Sequence, residues 1–225
     1  MFKNKNLSST FSRRISSAAR LTMEDMAQGR AQQEPAITDR LIAYIQSEVR
    51  RSNKSPFMWN AMTLTDRGRN SQEKKYGADF LGSLEINLDG FHVKKGFLAQ
   101  AKKIEPNQSY SPTEYGKLVQ QCNDMLPISP SSFVFLYSAI DGFSVIPAVG
   151  VVSSRACNPH ELTTKPIQKF FVEHFECFIG DPRINVANID TLDSIYERYR
   201  ARTAIHISVG TQDDDQDDMP GFGIF

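Results

Sequence analysis

The sequence predicts a domain of the α/β class. Two Asp-Gly pairs, Asp89-Gly90 and Asp141-Gly142, each stand between segments that read as strands, and apolar residues at helical spacing follow each of these hairpins. A type I′ turn requires positive φ at both central residues, so Asp-Gly between alternating segments is a strong hairpin signal. The chain of 225 residues has room for one domain with a sizeable core and two tails.

The elements before the first hairpin are predicted from caps and breakers. Residues 1–33 are expected to form a flexible basic arm, or at most a loose helix. Thr38 is expected to cap a helix over 39–51 whose apolar residues share one face. A strand over 57–64 then leads into a polar, glycine-containing loop over 66–78.

The elements after the first hairpin follow the same logic. Thr113 is expected to cap a helix that ends near 126, and His174 falls in an apolar helical pattern, which favours a core position over a metal ligand. The remaining predicted elements are strands over 132–138, 143–148 and 203–209, helices over 166–179 and 194–202, and a disordered acidic tail over 211–225.

Charge and cysteine content narrow the class of protein. Lys plus Arg number 26 and Asp plus Glu number 26, with a basic excess in residues 1–22 and an acidic excess in 211–225. A nucleic-acid enzyme of this composition needs a local basic surface. The three cysteines show no paired spacing, which argues against a disulfide framework and a zinc site and fits a reducing cytoplasm. No apolar run approaches transmembrane length, so no membrane partner is expected.

The first hairpin predicts a functional site. If Leu88 pairs with Phe91, Asp79 lies opposite Gln100, and Lys102 follows on the same, mostly polar face. Opposed side chains can share one ion, so the pattern suggests metal-assisted cleavage of a phosphodiester: Asp79 and the Gln100 carbonyl bind the cation, and Lys102 faces the water or the phosphate. The alternative is a solvated strand face that carries an incidental Asp and Lys.

These residues also carry a family resemblance. The stretch from Glu73 to Asp79, followed by Gly96-Phe-Leu-Ala-Gln100-Ala-Lys102-Lys103, resembles the PD-(D/E)XK nuclease superfamily and within it the Mrr-type, restriction-endonuclease-like branch with a Gln-x-Lys motif. The similarity spans about 70–150, and Ala78 stands where the family name has Pro. The resemblance implies a three-layer α/β/α core around a mixed central sheet, here over residues 34–210, with Mg²⁺ or Mn²⁺ as cofactor.

The resemblance also implies roles for individual residues. Glu73 falls where related sequences often carry an acid, as a third ligand or base; an exposed Glu beside Lys74 is the equal alternative. The residues expected in the site are Asp79, Gln100, Lys102 and Glu73 for catalysis, with Asp79, Gln100 and Glu73 binding metal, and Lys74, Lys75, Lys94 and Lys103 binding nucleic acid.

The function expected from the sequence is therefore a metal-dependent endonuclease in the cytoplasm that acts on nucleic acid, with DNA favoured and host defence or DNA processing as its setting. No recognition module is evident, so cutting is expected to be non-specific or directed by a protein partner; a homodimer is a further expected partner state. Two alternatives stay open: a non-catalytic nucleic-acid-binding or assembly subunit of the same fold, and an RNA or repair nuclease.

Overall fold

A computed structural model of the chain describes residues 5–50, 57–63, 78–88, 90–155, 157–184 and 201–210. Five helices, seven strands and a short 3₁₀ turn lie within these ranges. In chain order they are α1 (Lys5–Ala27), α2 (Glu34–Arg50), β1 (Phe57–Thr63), β2 (Ala78–Leu88), β3 (Phe91–Lys103), α3 (Pro112–Met125), β4 (Ser132–Ser138), β5 (Gly142–Pro147), α4 (Ala148–Ser153), the 3₁₀ turn (Pro159–Glu161), β6 (Lys165–Pro166), α5 (Ile167–Phe175) and β7 (Ala201–Gly210).

The seven strands form one mixed sheet in the order β1-β7-β2-β3-β4-β5-β6. Neighbours β7–β2 and β3–β4 run parallel, whereas the other neighbouring pairs are antiparallel. The late strand β7 lies between β1 and β2, so β1 is joined to the rest of the sheet only through β7. The α/β class and the mixed sheet are confirmed.

Each face of the sheet has its own apolar core. On one face α1, α2 and α5 pack over side chains such as Phe80, Phe97 and Phe135. On the other face α3 and α4 pack over Leu81 and Leu98. Alternate residues of β2 and β3 serve the two cores, because successive side chains of a strand point to opposite faces.

The N-terminal region differs from the expected flexible arm. Residues Lys5–Ala27 form a helix, and Phe11 and Ile15 are fully buried against the first core. Phe11 meets the ring of Phe175 at 4.1 Å between centroids. The charge content of this region suggested an arm, but its apolar residues recur at helical spacing and pack on α5. No helix in the described ranges is both long and apolar enough to span a membrane.

Two helices begin at residues other than the predicted caps. Helix α2 starts at Glu34, and Thr38 lies inside it, where its hydroxyl donates to the Glu34 carbonyl at 2.9 Å. Helix α3 is capped by Ser111 rather than Thr113: the Ser111 hydroxyl accepts from the Glu114 N–H, and the Glu114 carboxylate accepts from the Ser111 N–H. A proline in the first turn of each helix suits these starts, since its missing N–H would be unpaired there.

The C-terminal predictions divide between described and undescribed residues. The predicted strand over 203–209 is confirmed within β7. Of the predicted helix over 194–202, residues 201 and 202 belong to β7 and the rest lies outside the described residues. The tail over 211–225 also lies outside them.

Packing between β2 and β3 predicts the effect of two glycine substitutions. A Cβ on Gly82 would lie 2.3 Å from the Phe97 ring, which is buried and held edge-on by Phe80 and Phe170. We expect Gly82→Ala to destabilise the fold by about 1–3 kcal/mol through overpacking. A Cβ on Gly116 of α3 would meet no atom within 4 Å, so Gly116→Ala should stabilise by about 1 kcal/mol. Denaturant unfolding of both variants measures this, and equal effects would contradict the packing.

Candidate functional site

The pairing of β2 with β3 brings the predicted acid and amide together. Leu88 pairs with Phe91 and Phe80 with Ala99, which is the expected register without a bulge. Asp79 continues this register to lie opposite Gln100, and the two side chains are hydrogen-bonded, with Gln100 Nε2 donating to Asp79 Oδ2. The same Asp79 oxygen accepts from the Ala101 N–H at 2.8 Å. The Asp79 carboxylate, at the start of β2, is therefore held in place by hydrogen bonds from β3.

Gln100 is more deeply buried than its position on a polar strand face suggests. Its residue is only 2% exposed, because α3 covers this part of the sheet. Its carbonyl oxygen Oε1 is buried and forms no hydrogen bond within the part of the chain that the structure describes. An unsatisfied buried acceptor is unfavourable, so this oxygen is suited to receive a ligand.

Glu34 joins the site, although the sequence did not indicate it. Its carboxylate lies 3.6 Å from Lys102 Nζ and accepts from the Lys103 N–H at 3.0 Å. The first residue of α2 thus contacts the last two residues of β3. The Glu-Pro start of a helix was the one signal that could have placed an acid at a helix N-terminus, but nothing local points to β3.

Asp79 and Glu34 border a small cleft between the start of α2 and the end of the sheet. The cleft has a volume of about 30 Å³ and is lined by Glu34, Pro35, Thr38, Asp39, Asp79 and Thr203. A space of this size holds a water or a single ion and is far smaller than a nucleobase pocket. Three carboxylates border it, and the Lys102 ammonium lies 3.6 Å from one of them, that of Glu34.

The surroundings keep neighbouring groups in defined protonation states. Burial, reinforced by the negative charges of Glu114 and Glu34, raises the pKa of Tyr110 to about 12. Burial also raises the pKa of the Cys122 thiol to about 12, against the opposing field of Lys102. Tyr110 is thus a neutral phenol and Cys122 a neutral thiol at pH 7, so neither adds a negative charge near Lys102.

Helix α3 contributes one further unsatisfied amide. Gln121, beside Cys122, has a buried side-chain oxygen without a hydrogen bond in the described ranges. Gln121 itself is partly buried, next to the fully buried Cys122.

The donor set suits the expected divalent cation in part. A carboxylate and an amide carbonyl are oxygen ligands of the kind that Mg²⁺ and Mn²⁺ prefer. In the structure the amide nitrogen of Gln100 faces Asp79. Exchanging the amide's nitrogen and oxygen would bring the carbonyl there; this breaks the hydrogen bond from Nε2 to Asp79, and a cation between the two oxygens would replace it. Asp79 and Gln100 therefore fit two ligand positions.

The described residues do not supply a complete ligand set. No group of three His, Cys, Asp or Glu side chains in these ranges lies close enough to hold a metal ion. Glu73, the expected third ligand, lies outside the described residues, as do Lys74 and Lys75.

The remaining predicted basic residues separate in space. Lys103 lies at the cleft end of β3, where its ammonium donates to the Gln32 carbonyl at 3.1 Å. Lys94 pairs with Glu85 at 2.8 Å and lies eight residues before Lys102, about 26 Å along the strand. The structure therefore brings Lys103 to the site and leaves Lys94 at the far end of β3.

His174 is a core residue, as its helical pattern indicated. Its ring is fully buried, and Nδ1 is 3.0 Å from the Ile179 carbonyl oxygen. Burial, together with the nearby Lys95 charge, lowers the pKa of His174 to about 3. The imidazole is therefore neutral at pH 7 and remote from Asp79.

Comparisons with known proteins add no assignment: no family model, no curated protein and no solved structure matches this chain.

A metal-binding measurement checks the site without assuming a reaction. A cation held by Asp79 should raise the melting temperature, since a ligand at 100 times its Kd stabilises by about 2.7 kcal/mol. We expect Mn²⁺ to stabilise the parent and not Asp79→Asn, by calorimetry and thermal unfolding. Asp124→Asn, which alters an exposed carboxylate on α3, should respond like the parent. Equal stabilisation of all three proteins would exclude Asp79 as a ligand.

Proposed function

We propose that this chain is a metal-dependent endonuclease that hydrolyses phosphodiester bonds in nucleic acid, with DNA as the favoured substrate and a restriction-endonuclease-like fold. The observation that carries the proposal is the β2–β3 register, which joins Asp79 to Gln100. Lys102 follows two residues later on the same face of β3 and lies 3.6 Å from Glu34. The register was expected from the Asp-Gly turn and the alternation of the flanking segments, and the hydrogen bond between Asp79 and Gln100 supports it.

The charge of the cleft supports a requirement for a divalent cation. Glu34, Asp39 and Asp79 border the cleft, and Lys102 is the cation beside them. A phosphate approaching this set of carboxylates would be repelled unless positive charge is added. We infer that Mg²⁺ or Mn²⁺ is needed for substrate binding as well as for hydrolysis.

Asp79 and Gln100 are the residues that would hold the ion. The Ala101 N–H fixes one Asp79 oxygen at 2.8 Å, so the carboxylate is oriented before any ligand arrives. When bound, a divalent cation polarises the phosphoryl oxygen and lowers the pKa of a bound water. Gln in place of an acid gives one fewer negative charge, so binding depends more on Asp79.

Lys102 is suited to stabilise charge on the reacting phosphate. Its side chain is 16% exposed, and the Glu34 carboxylate 3.6 Å away holds it at the cleft. A phosphate oxygen can compete for the ammonium, because this separation exceeds the range of a direct hydrogen bond. Glu34 then acts as a positioning residue that keeps Lys102 directed at the cleft between turnovers.

The size of the cleft bears on specificity. A volume of about 30 Å³ admits an ion and its water, so the site would contact the sugar–phosphate backbone rather than a base. Backbone contacts carry no direct sequence information. The proposal is therefore cutting without base readout at this site, with any specificity supplied by a partner.

The first test is cleavage of supercoiled plasmid with Mg²⁺ or Mn²⁺ and an EDTA control. Lys102→Ala should reduce the rate by about 10²–10³, the usual loss for one preorganised electrostatic contact. Lys169→Ala removes the same charge from an exposed position of α5, on the face of the sheet opposite α3, and should cut at the parent rate. Folding of both variants is checked by circular dichroism.

The outcomes separate the candidate functions. If the parent binds plasmid but does not nick it with either metal, the non-catalytic binding subunit becomes the better assignment. A substrate panel of duplex, junction and RNA then distinguishes DNA processing from an RNA or repair role. A Lys102→Ala variant as active as the parent would remove Lys102 from the site.

Gln100 tests the ligand assignment separately. Gln100→Glu keeps the shape and adds a carboxylate, so activity should persist with a lower metal concentration for half-maximal rate. Gln100→Leu removes both amide functions, and cleavage should fall below detection while the buried site stays filled. An active Leu variant would show that Gln100 is only a structural partner of Asp79.

A further inference from the structure

An apolar groove lies away from the candidate site, at the edge of the sheet beside α4. We call it the α4 groove. Its volume is about 520 Å³, and its apolar lining includes Phe133, Val145, Pro147, Val149, Leu162 and Phe170. Val149 is 58% exposed at its rim. The volume falls in the range of about 300–1,000 Å³ that is typical of ligand pockets.

The α4 groove shares no residue with the cleft that Asp79 borders. It opens at the start of β4 and the end of β5, where Phe133 pairs with Pro147. Lys102 lies beside Leu136, further along β4. The groove therefore needs an explanation of its own.

The sequence contains a segment whose chemistry matches this groove. After β7 ends at Gly210, the acidic run over 211–218 is followed by Met-Pro-Gly-Phe-Gly-Ile-Phe. Phe222, Ile224 and Phe225 are large apolar side chains separated from the domain by five aspartates.

We propose that the segment 221–225 of the same chain docks into the α4 groove. Its two aromatic rings would meet Phe133 and Phe170, which border the groove and already pack edge-on at 4.9 Å between centroids. Edge-to-face aromatic contacts and burial of apolar area both favour this arrangement. The glycines at 221 and 223 let the backbone lie close to the groove wall.

The chain can span the distance. Gly210 pairs with Asn87, and from there the groove is four strand spacings across the sheet and about seven residues along it, or about 30 Å. The eleven residue steps from Gly210 to Gly221 extend to about 36–40 Å. An extended linker is required, and mutual repulsion among the aspartates favours extension.

Disulfide trapping tests the proposal. In a background with Cys157→Ser and Cys177→Ser, Val149→Cys with Gly223→Cys places one thiol at the groove rim and one in the segment. Ile140→Cys with Gly223→Cys is the matched control, since Ile140 is similarly exposed, at 71%, at the opposite end of β4. We expect the Val149 pair to close an intrachain disulfide about tenfold faster, through its higher effective concentration.

A second change tests the role of the side chains. Adding Phe222→Ser and Ile224→Ser should reduce the Val149 rate to that of the Ile140 control. Intact mass and non-reducing gels distinguish intrachain from interchain products. Equal rates for the two positions, or insensitivity to the serine changes, would overturn the proposal. A product that is chiefly a dimer and scales with concentration would assign the groove to a second copy and overturn docking within one chain. The test uses neither metal nor nucleic acid, so it does not depend on the proposed nuclease activity.

Discussion

The antiparallel pairing of β2 with β3 is the interaction on which the rest of the structure depends. It supplies the two central strands of the sheet and divides their side chains between two cores. Gly82 and Gly96 allow the close packing at its middle: a Cβ on Gly96 would lie 2.6 Å from the Gly82 carbonyl oxygen and 2.5 Å from Ile184. The same pairing sets Asp79 against Gln100, so fold and candidate site share one register.

A second constraint positions α2 relative to that hairpin. Asp25 near the end of α1 is almost fully buried and accepts from Arg30, Arg40 and Tyr44. The Tyr44 hydroxyl and the two guanidinium groups outweigh the effect of burial and lower the pKa of Asp25. This network fixes the corner between α1 and α2, and Glu34 begins α2 immediately after it. The contact of Glu34 with Lys102 thus depends on a charge network whose members do not line the cleft.

The loop that follows β3 is likewise held by hydrogen bonds to a few polar side chains. Although burial of Glu105 acts to raise its pKa, hydrogen bonds from Ser138, Ala139 and Ile140 lower it overall. Asn158 donates to three backbone carbonyls of the same loop. Glu105 and Asn158 therefore join β3, β4 and the 3₁₀ turn at the end of the sheet where Lys102 and Lys103 lie. A rigid frame of this kind suits a site that must hold side chains before a ligand binds.

The sequence by itself determined the hairpin, its register and the meeting of Asp79 with Gln100, because turn chemistry and period-two alternation are local properties of the chain. The tertiary structure decided what local patterns cannot encode. Glu34 reaches β3 across 69 positions of sequence, Gln100 is buried because α3 covers a face that reads as polar, and Lys94 is separated from Lys102 by the length of the strand. The region before residue 33 contains a packed helix because Phe11 and Ile15 are buried against α5. Long-range packing decides which face of a segment is buried when the local pattern allows either. It therefore sets the positions of Glu34, Lys102 and the α4 groove.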